Sequence, residues 1–159
     1  MQNPSWFNSL AVAIILVECS CDRTSDERLV LMQAVHRGDV AQVRKMIEEG
    51  VEVNFVERSP DRFTPLLRAC YAGQYEVASL LIEAGADVSA KDAFGRTPLE
   101  YAIGSSEASA ILVEELVAHG ADREKAIGHL HLTNIHPRIR SLLESDNLPS
   151  AGTPNGRPK

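Results

Sequence analysis

Three cysteines in 159 residues, at Cys19, Cys21 and Cys70, are too few and too irregular in spacing to form a disulfide scaffold. Stability therefore has to come from packing, as in a reducing compartment or in an exported chain that does not depend on bridges. Aromatic residues make up only 5%. That excludes a core of stacked rings and leaves Leu, Ile, Val and Ala to fill it. Basic residues are outnumbered: Lys plus Arg is 16 against 22 for Asp plus Glu, a formal net charge of -6. Such a balance lacks the electrostatic footprint of a nucleic-acid binder. Long apolar runs are missing as well. Leu10–Val17 is unbroken but falls far short of the roughly 20 residues of a membrane span. What is present, 44% hydrophobic and 24% charged residues, is ordinary globular composition and excludes wholesale disorder.

Catalytic signatures are also missing. No Gly-x-x-x-x-Gly-Lys-Ser loop, Gly-x-Ser-x-Gly elbow or His-Glu-x-x-His pair occurs. Cys70 sits beside Ala69 with no base close in sequence, which reads as a buried structural thiol rather than a nucleophile. Four of the five histidines, His119, His129, His131 and His136, gather near the C-terminus. A zinc site there would need a fourth ligand that no Cys or paired carboxylate supplies at close spacing, so solvated histidines are expected and neither metal nor cofactor.

Residues 1–27 stand apart. Leu10–Val17 has the length of a signal-peptide core, and Cys19-Ser20-Cys21 offers small residues for cleavage before Asp22. Met1–Ser9 contains no Lys or Arg, against the usual basic leader, and Glu18 before Cys19 disfavours a lipoprotein site. The alternative is an extra cap on the open end of the domain. The balance favours a cytoplasmic location, with export or a periplasmic site as the alternative if residues 1–21 are removed.

The rest repeats. Thr64-Pro65-Leu66-Leu67-Arg68-Ala69 returns as Thr97-Pro98-Leu99-Glu100-Tyr101-Ala102, and Gly85-Ala86-Asp87 returns as Gly120-Ala121-Asp122. A weaker copy runs from Leu31 through Ala34, Gly38 and Asp39 to Gly50 and Asn54. Thr64 suits a helix N-cap and Pro65 the first helical position. Gly73 suits the C-terminus of the short helix. Val77, Leu80 and Leu81 form one stripe of a second helix. Lys91-Asp92-Ala93-Phe94-Gly95-Arg96 then makes a polar turn before Thr97. Each unit reads helix, turn, helix, outward hairpin, and none can bury its own apolar faces, so the units must stack.

These residues resemble the ankyrin repeat family, over about residues 29–145. The resemblance implies an all-α solenoid of stacked helix-turn-helix units with projecting β-hairpin fingers, spanning residues 28–146. Residues 147–159, Pro/Gly-rich and almost free of large apolar groups, read as a disordered tail. Departures are visible. Leu67 and Glu100 replace the family's usual His, Arg62 takes a Gly place, and the first finger is about two residues longer than the second. Extra residues lie around Gly104–Ala108. Arg123–His131 and Pro137–Ser145 read as a helix pair closing the stack through Ile127, Leu130, Ile139, Leu142 and Leu143.

Charge separates two faces. Glu48, Glu49, Glu83, Glu114 and Glu115 belong on the outer helices. Lys91 and the candidate partner-binding residues His36, Arg37, Phe55, Arg58, Arg62, Arg68, Tyr71, Phe94, Arg96 and Tyr101 belong on the fingers and inner helices. Phe63 joins them or packs between repeats, and Asp61 and Asp92 brace their turns. Arginine beside aromatics is the composition of interface hot spots. The expected function is a non-enzymatic, monomeric protein-interaction module whose concave face and finger loops bind a partner protein bearing an acidic or mixed patch. An inhibitor or immunity-type protein covering an enzyme's site, a metal site at the C-terminal histidines, and an architectural linker are the alternatives.

Overall fold

A computed structural model describes residues 20–103, 107–128 and 135–144. The helices are α1 (Ser20–Arg37), α2 (Val40–Glu48), α3 (Pro65–Ala72), α4 (Tyr75–Glu83), α5 (Pro98–Ala102), α6 (Glu107–Ala118), α7 (Arg123–Gly128) and α8 (Pro137–Glu144). They form two rows. Inner helices α1, α3, α5 and α7 pack each on the next, and outer helices α2, α4, α6 and α8 do the same. Across the rows α1 packs on α2, α3 on α4 and α5 on α6. The described residues are helix, turn and loop, the arrangement of an all-α solenoid.

Local chemistry sets the helix ends. The Thr64 hydroxyl accepts a hydrogen bond from the Leu67 N–H at 3.3 Å, and Pro65 opens α3. Gly73 ends α3 at φ 71°, a left-handed conformation costly for other residues. At α5 the cap works from the other side: the Thr97 N–H donates to the Glu100 carboxylate at 2.6 Å. Glu100, in the place of the family's His, thus closes a capping interaction. Asp39 caps α2 by accepting from the Gln42 N–H.

The core follows the stripes. Leu31, Val35, Leu66, Leu67, Val77, Leu81, Leu99, Leu112, Leu116 and Ile139 are fully buried. Ala34, Ala69 and Ala102 lie buried at matching positions of three successive inner helices. Leu80, placed on the same stripe by sequence, is only half-buried and borders a shallow groove with Ile47 and Ala84.

Three features differ from expectation. Helix α1 is helical from Ser20, the first described residue, and runs unbroken through residues 27 and 28. Glu114 and Glu115 are not simply solvated: Glu114 pairs with Arg138 of α8, and Glu115 accepts from Ser79 of α4 at 2.6 Å. In the closing pair Ile139 and Leu143 are buried as expected, Leu142 is half-buried, and the unanticipated Ala126 is fully buried. Leu130, the tail over 147–159 and the Leu10–Val17 run lie outside the described residues. So does most of the Gly104–Ala108 stretch.

Leu81 is fully buried in α4 and Glu83, on the same helix, is exposed. Leu81→Ala should therefore lower unfolding free energy by about 2–5 kcal/mol, and Glu83→Ala by under about 0.5 kcal/mol, both read by urea denaturation. Equal small effects would contradict this helix register.

Candidate functional site

The two fingers share one turn. In the first, the Ser59 carbonyl accepts from the Arg62 N–H at 3.1 Å; in the second, Asp92 accepts from the Gly95 N–H at 3.2 Å. The fourth residue of each turn is left-handed, Gly95 at φ 81° and Arg62 at φ 55°. Arg62 is the only described non-glycine with positive φ, which fits its taking a Gly place in the sequence. Each hairpin is closed by a backbone bond, Glu57 N–H to Phe63 O at 2.8 Å and Asp92 N–H to Arg96 O at 3.0 Å. The Ala93 N–H donates across to Asp61 O at 2.9 Å, tying one finger to the next.

Asp92 organises the second finger. One of its carboxylate oxygens accepts from the Phe94 and Arg96 N–H groups at 2.8 and 2.9 Å, and the other from the Tyr101 hydroxyl at 2.6 Å. The Arg96 guanidinium stands 3.4 Å away. Burial alone would raise the Asp92 pKa. The Tyr101 bond, the two backbone bonds and the Arg96 charge outweigh it and hold the carboxyl below its ordinary value. Burial, then the facing Asp92, pushes the Tyr101 phenol upward.

Around this anchor the aromatic residues meet. Phe63, Tyr71 and Tyr101 form a triangle with ring centroids 5.4–5.9 Å apart, two of the three contacts edge-to-face. Arg68 lies over Phe63 at 4.7 Å. Arg96 lies between Tyr101 at 4.9 Å and Phe94 at 5.1 Å. Phe63 is buried and Tyr101 half-buried, whereas Tyr71 is 59% and Phe94 69% exposed.

The candidate residues therefore divide. Tyr71, Phe94 and Arg96 form an exposed band joined to the half-buried Tyr101. Phe55 is buried under the Arg28 guanidinium at 5.3 Å, and Arg28 pairs with Glu52. Arg68 is largely covered and bonds Glu57 at 2.5 Å. His36, Arg37, Arg58 and Arg62 are exposed, further toward α1 and the first finger. Sequence reasoning missed Asn54. Its amide donates to Gly85 O at 2.9 Å and accepts from the Asp87 N–H at 2.8 Å, bridging repeats. The recurrence of Gly-x-x-x-Asn/Ser before each finger was the available signal.

Cys70 is buried, and that burial pushes its thiol up to about 12, removing the thiolate a nucleophile needs. Among the described residues no three His, Cys, Asp or Glu side chains converge as a metal site. His119 is exposed on α6 and His136 half-buried before α8; His129 and His131 lie outside the described residues. No described helix is long and apolar enough to cross a membrane.

A family model described as ankyrin repeats in three copies matches residues 5–92 and 31–127. The chain belongs to the ankyrin repeat family. Ankyrin repeats generally mediate protein–protein interaction and are generally non-catalytic. Among relatives, serine/threonine-protein kinase VIK of Arabidopsis thaliana is 39% identical over 62% of this chain and 22% of its own length. A putative ankyrin repeat protein of fowlpox virus is 31% identical over 61% of this chain and 28% of its own. Ankyrin repeat domain-containing protein 40 of Mus musculus is 29% identical over 78% and 32%. The chain thus spans about a third or less of these relatives.

The depressed Asp92 pKa makes a pH prediction. The folded chain keeps Asp92 ionised where the unfolded chain, with an Asp pKa near 3.9, takes up a proton. Its contribution is complete above that value and is lost as pH falls through the lower, folded value. Asp92→Asn should cost about 1–3 kcal/mol near neutral pH, and the gap to wild type should close below about pH 4 in urea unfolding curves. A gap of constant size down to about pH 2 would contradict an ionised Asp92 anchor.

Proposed function

We propose that this ankyrin array is a monomeric, non-enzymatic module that binds a partner protein through its concave face and finger loops. One observation carries the reading: the exposed band of Tyr71, Arg96 and Phe94 mounted on an anchor of buried Phe63 and Asp92 and half-buried Tyr101. Rigid aromatics and arginine are the side chains that dominate protein interfaces, because they bury large areas at low entropic cost. Here the anchor already fixes them, so little ordering remains to be done on binding. Arg37, Arg58 and Arg62 are exposed and make no ion pair with a described residue, which supports a partner surface of acidic or mixed charge. Arg28, Arg68 and Arg96 are already matched by Glu52, Glu57 and Asp92 and add less to that preference.

The division between anchor and band selects the test. Arg68 and Tyr101 substitutions would disturb the fold along with the surface, whereas Tyr71→Ala and Phe94→Ala remove exposed rings. With the immobilised full chain as bait, each variant should weaken capture of the wild-type partner by roughly tenfold or more, while its circular dichroism at assay temperature stays that of the folded wild type. Undiminished capture by both would remove the concave-face reading.

A further inference from the structure

The first finger departs from the second where it meets α1. Ser59 precedes Thr64 by the same spacing as Asp92 precedes Thr97, so the extra length of the first finger lies between Asn54 and Ser59. That stretch carries Phe55, Val56 and Glu57. Against α1 it builds a groove of about 310 Å³ over Arg28, Leu29, Met32 and Phe55, bordered by Val56 and Arg58. The groove continues past Glu57 and Arg68 as a second hollow of about 390 Å³ reaching His36 and Arg37.

Its floor is apolar and partly uncovered. Met32 and Phe55 are buried, but Leu29 remains 56% and Val56 48% exposed. Its rim is positive in a chain of net charge -6. Glu57, the one carboxylate lining either hollow, is engaged by Arg68 and by the Ser59 hydroxyl. Arg28 is held by Glu52. Arg37 and Arg58, at opposite ends, are exposed and make no ion pair with a described residue.

We infer that this groove takes an extended segment of a partner protein in which Leu, Ile or Phe alternates with Asp or Glu. The inference rests on the reading of the chain as a partner-binding module and assigns that partner's contact chemistry. From Ser25 to His36 the α1 wall measures about 16 Å, the length of about five extended residues. In an extended peptide alternate side chains point to opposite sides. One set reaches the Leu29–Val56 floor while the other faces solvent and the Arg58 and Arg37 guanidinium groups. An aspartate or glutamate there supplies the counter-charge the rim lacks.

Fluorescence anisotropy on the full chain tests this with three pools of fluorescein-labelled hexapeptides. The first alternates Asp/Glu with Leu/Ile/Phe, the second alternates Lys/Arg with the same apolar residues, and the third alternates Asp/Glu with Ser. The first pool should bind about tenfold more tightly than either other pool. Leu29→Asp and Arg58→Glu should each weaken it about tenfold, and Glu83→Ala, exposed on the outer helix α4 and away from both hollows, should leave it unchanged. Both groove substitutions are at exposed side chains and should melt like wild type; if Leu29→Asp does not, Val56→Asp takes its place. Equal binding of the second or third pool, insensitivity to both groove substitutions, or no binding overturns the inference. So does a dimer in sedimentation velocity that Leu29→Asp abolishes, because a second copy would then cover the groove. Partner capture lost in Tyr71→Ala but retained in Leu29→Asp would sink this assignment and leave the concave-face reading standing.

Discussion

Everything on the concave face depends on how closely the inner helices stack. Each helix pair has two apolar faces and can cover only one by itself. The other must meet a neighbour, and Ala34, Ala69 and Ala102 lie buried along that seam. A methyl group is small enough for α1, α3 and α5 to pack as one wall. The large side chains, Leu66, Leu67, Leu81 and Leu99, fill the space between the rows. Because the fingers leave from the same repeats, the spacing of the wall sets theirs. Asn54 then locks one finger base to the next through Gly85 and Asp87, and Asp61 meets Ala93 further out.

The stack divides labour between anchor and surface. Asp92 accepts three hydrogen bonds and faces Arg96 without being solvated, so the second finger has one well-defined shape. That shape holds Phe94 and Arg96 outward beside Tyr71. The first finger has Ser59 at the Asp92 position and a left-handed Arg62 where the second has Gly95. It gains an ion pair, Glu57 with Arg68, and the extra residues that wall the groove on α1. Two neighbouring fingers on one scaffold thus present different chemistry: an aromatic band on one and an apolar groove with a basic rim on the other.

Much of this was legible in the residues. Thr-Pro-Leu and Gly-Ala-Asp recur because each serves a backbone need that few other residues meet: an N-cap, a first helical turn, a left-handed C-cap. The outer stripe followed from helical spacing. Less legible were contacts between residues a repeat apart. Nothing in the order of residues says that Glu114 will meet Arg138 or that Glu115 will meet Ser79, because such pairs depend on the offset between repeats. The same holds for Arg28 with Glu52 and for Arg68 with Glu57; the second pair turned a cation expected on a binding face into a largely covered group. The continuity of α1 through residues 27 and 28 was hidden because no Thr-Pro signal marks this helix. The extra length of the first finger was visible; the groove it builds required the position of α1.

The most direct measurement of the central claim is equilibrium urea unfolding of Ala69→Leu, followed by helical circular dichroism. Ala69 is fully buried in the middle inner helix. If the wall depends on small residues along the seam, the added bulk has nowhere to go, and unfolding free energy should fall by about 1–3 kcal/mol or more. A variant as stable as wild type would mean that the inner helices do not approach closely at this seam, and would contradict the account.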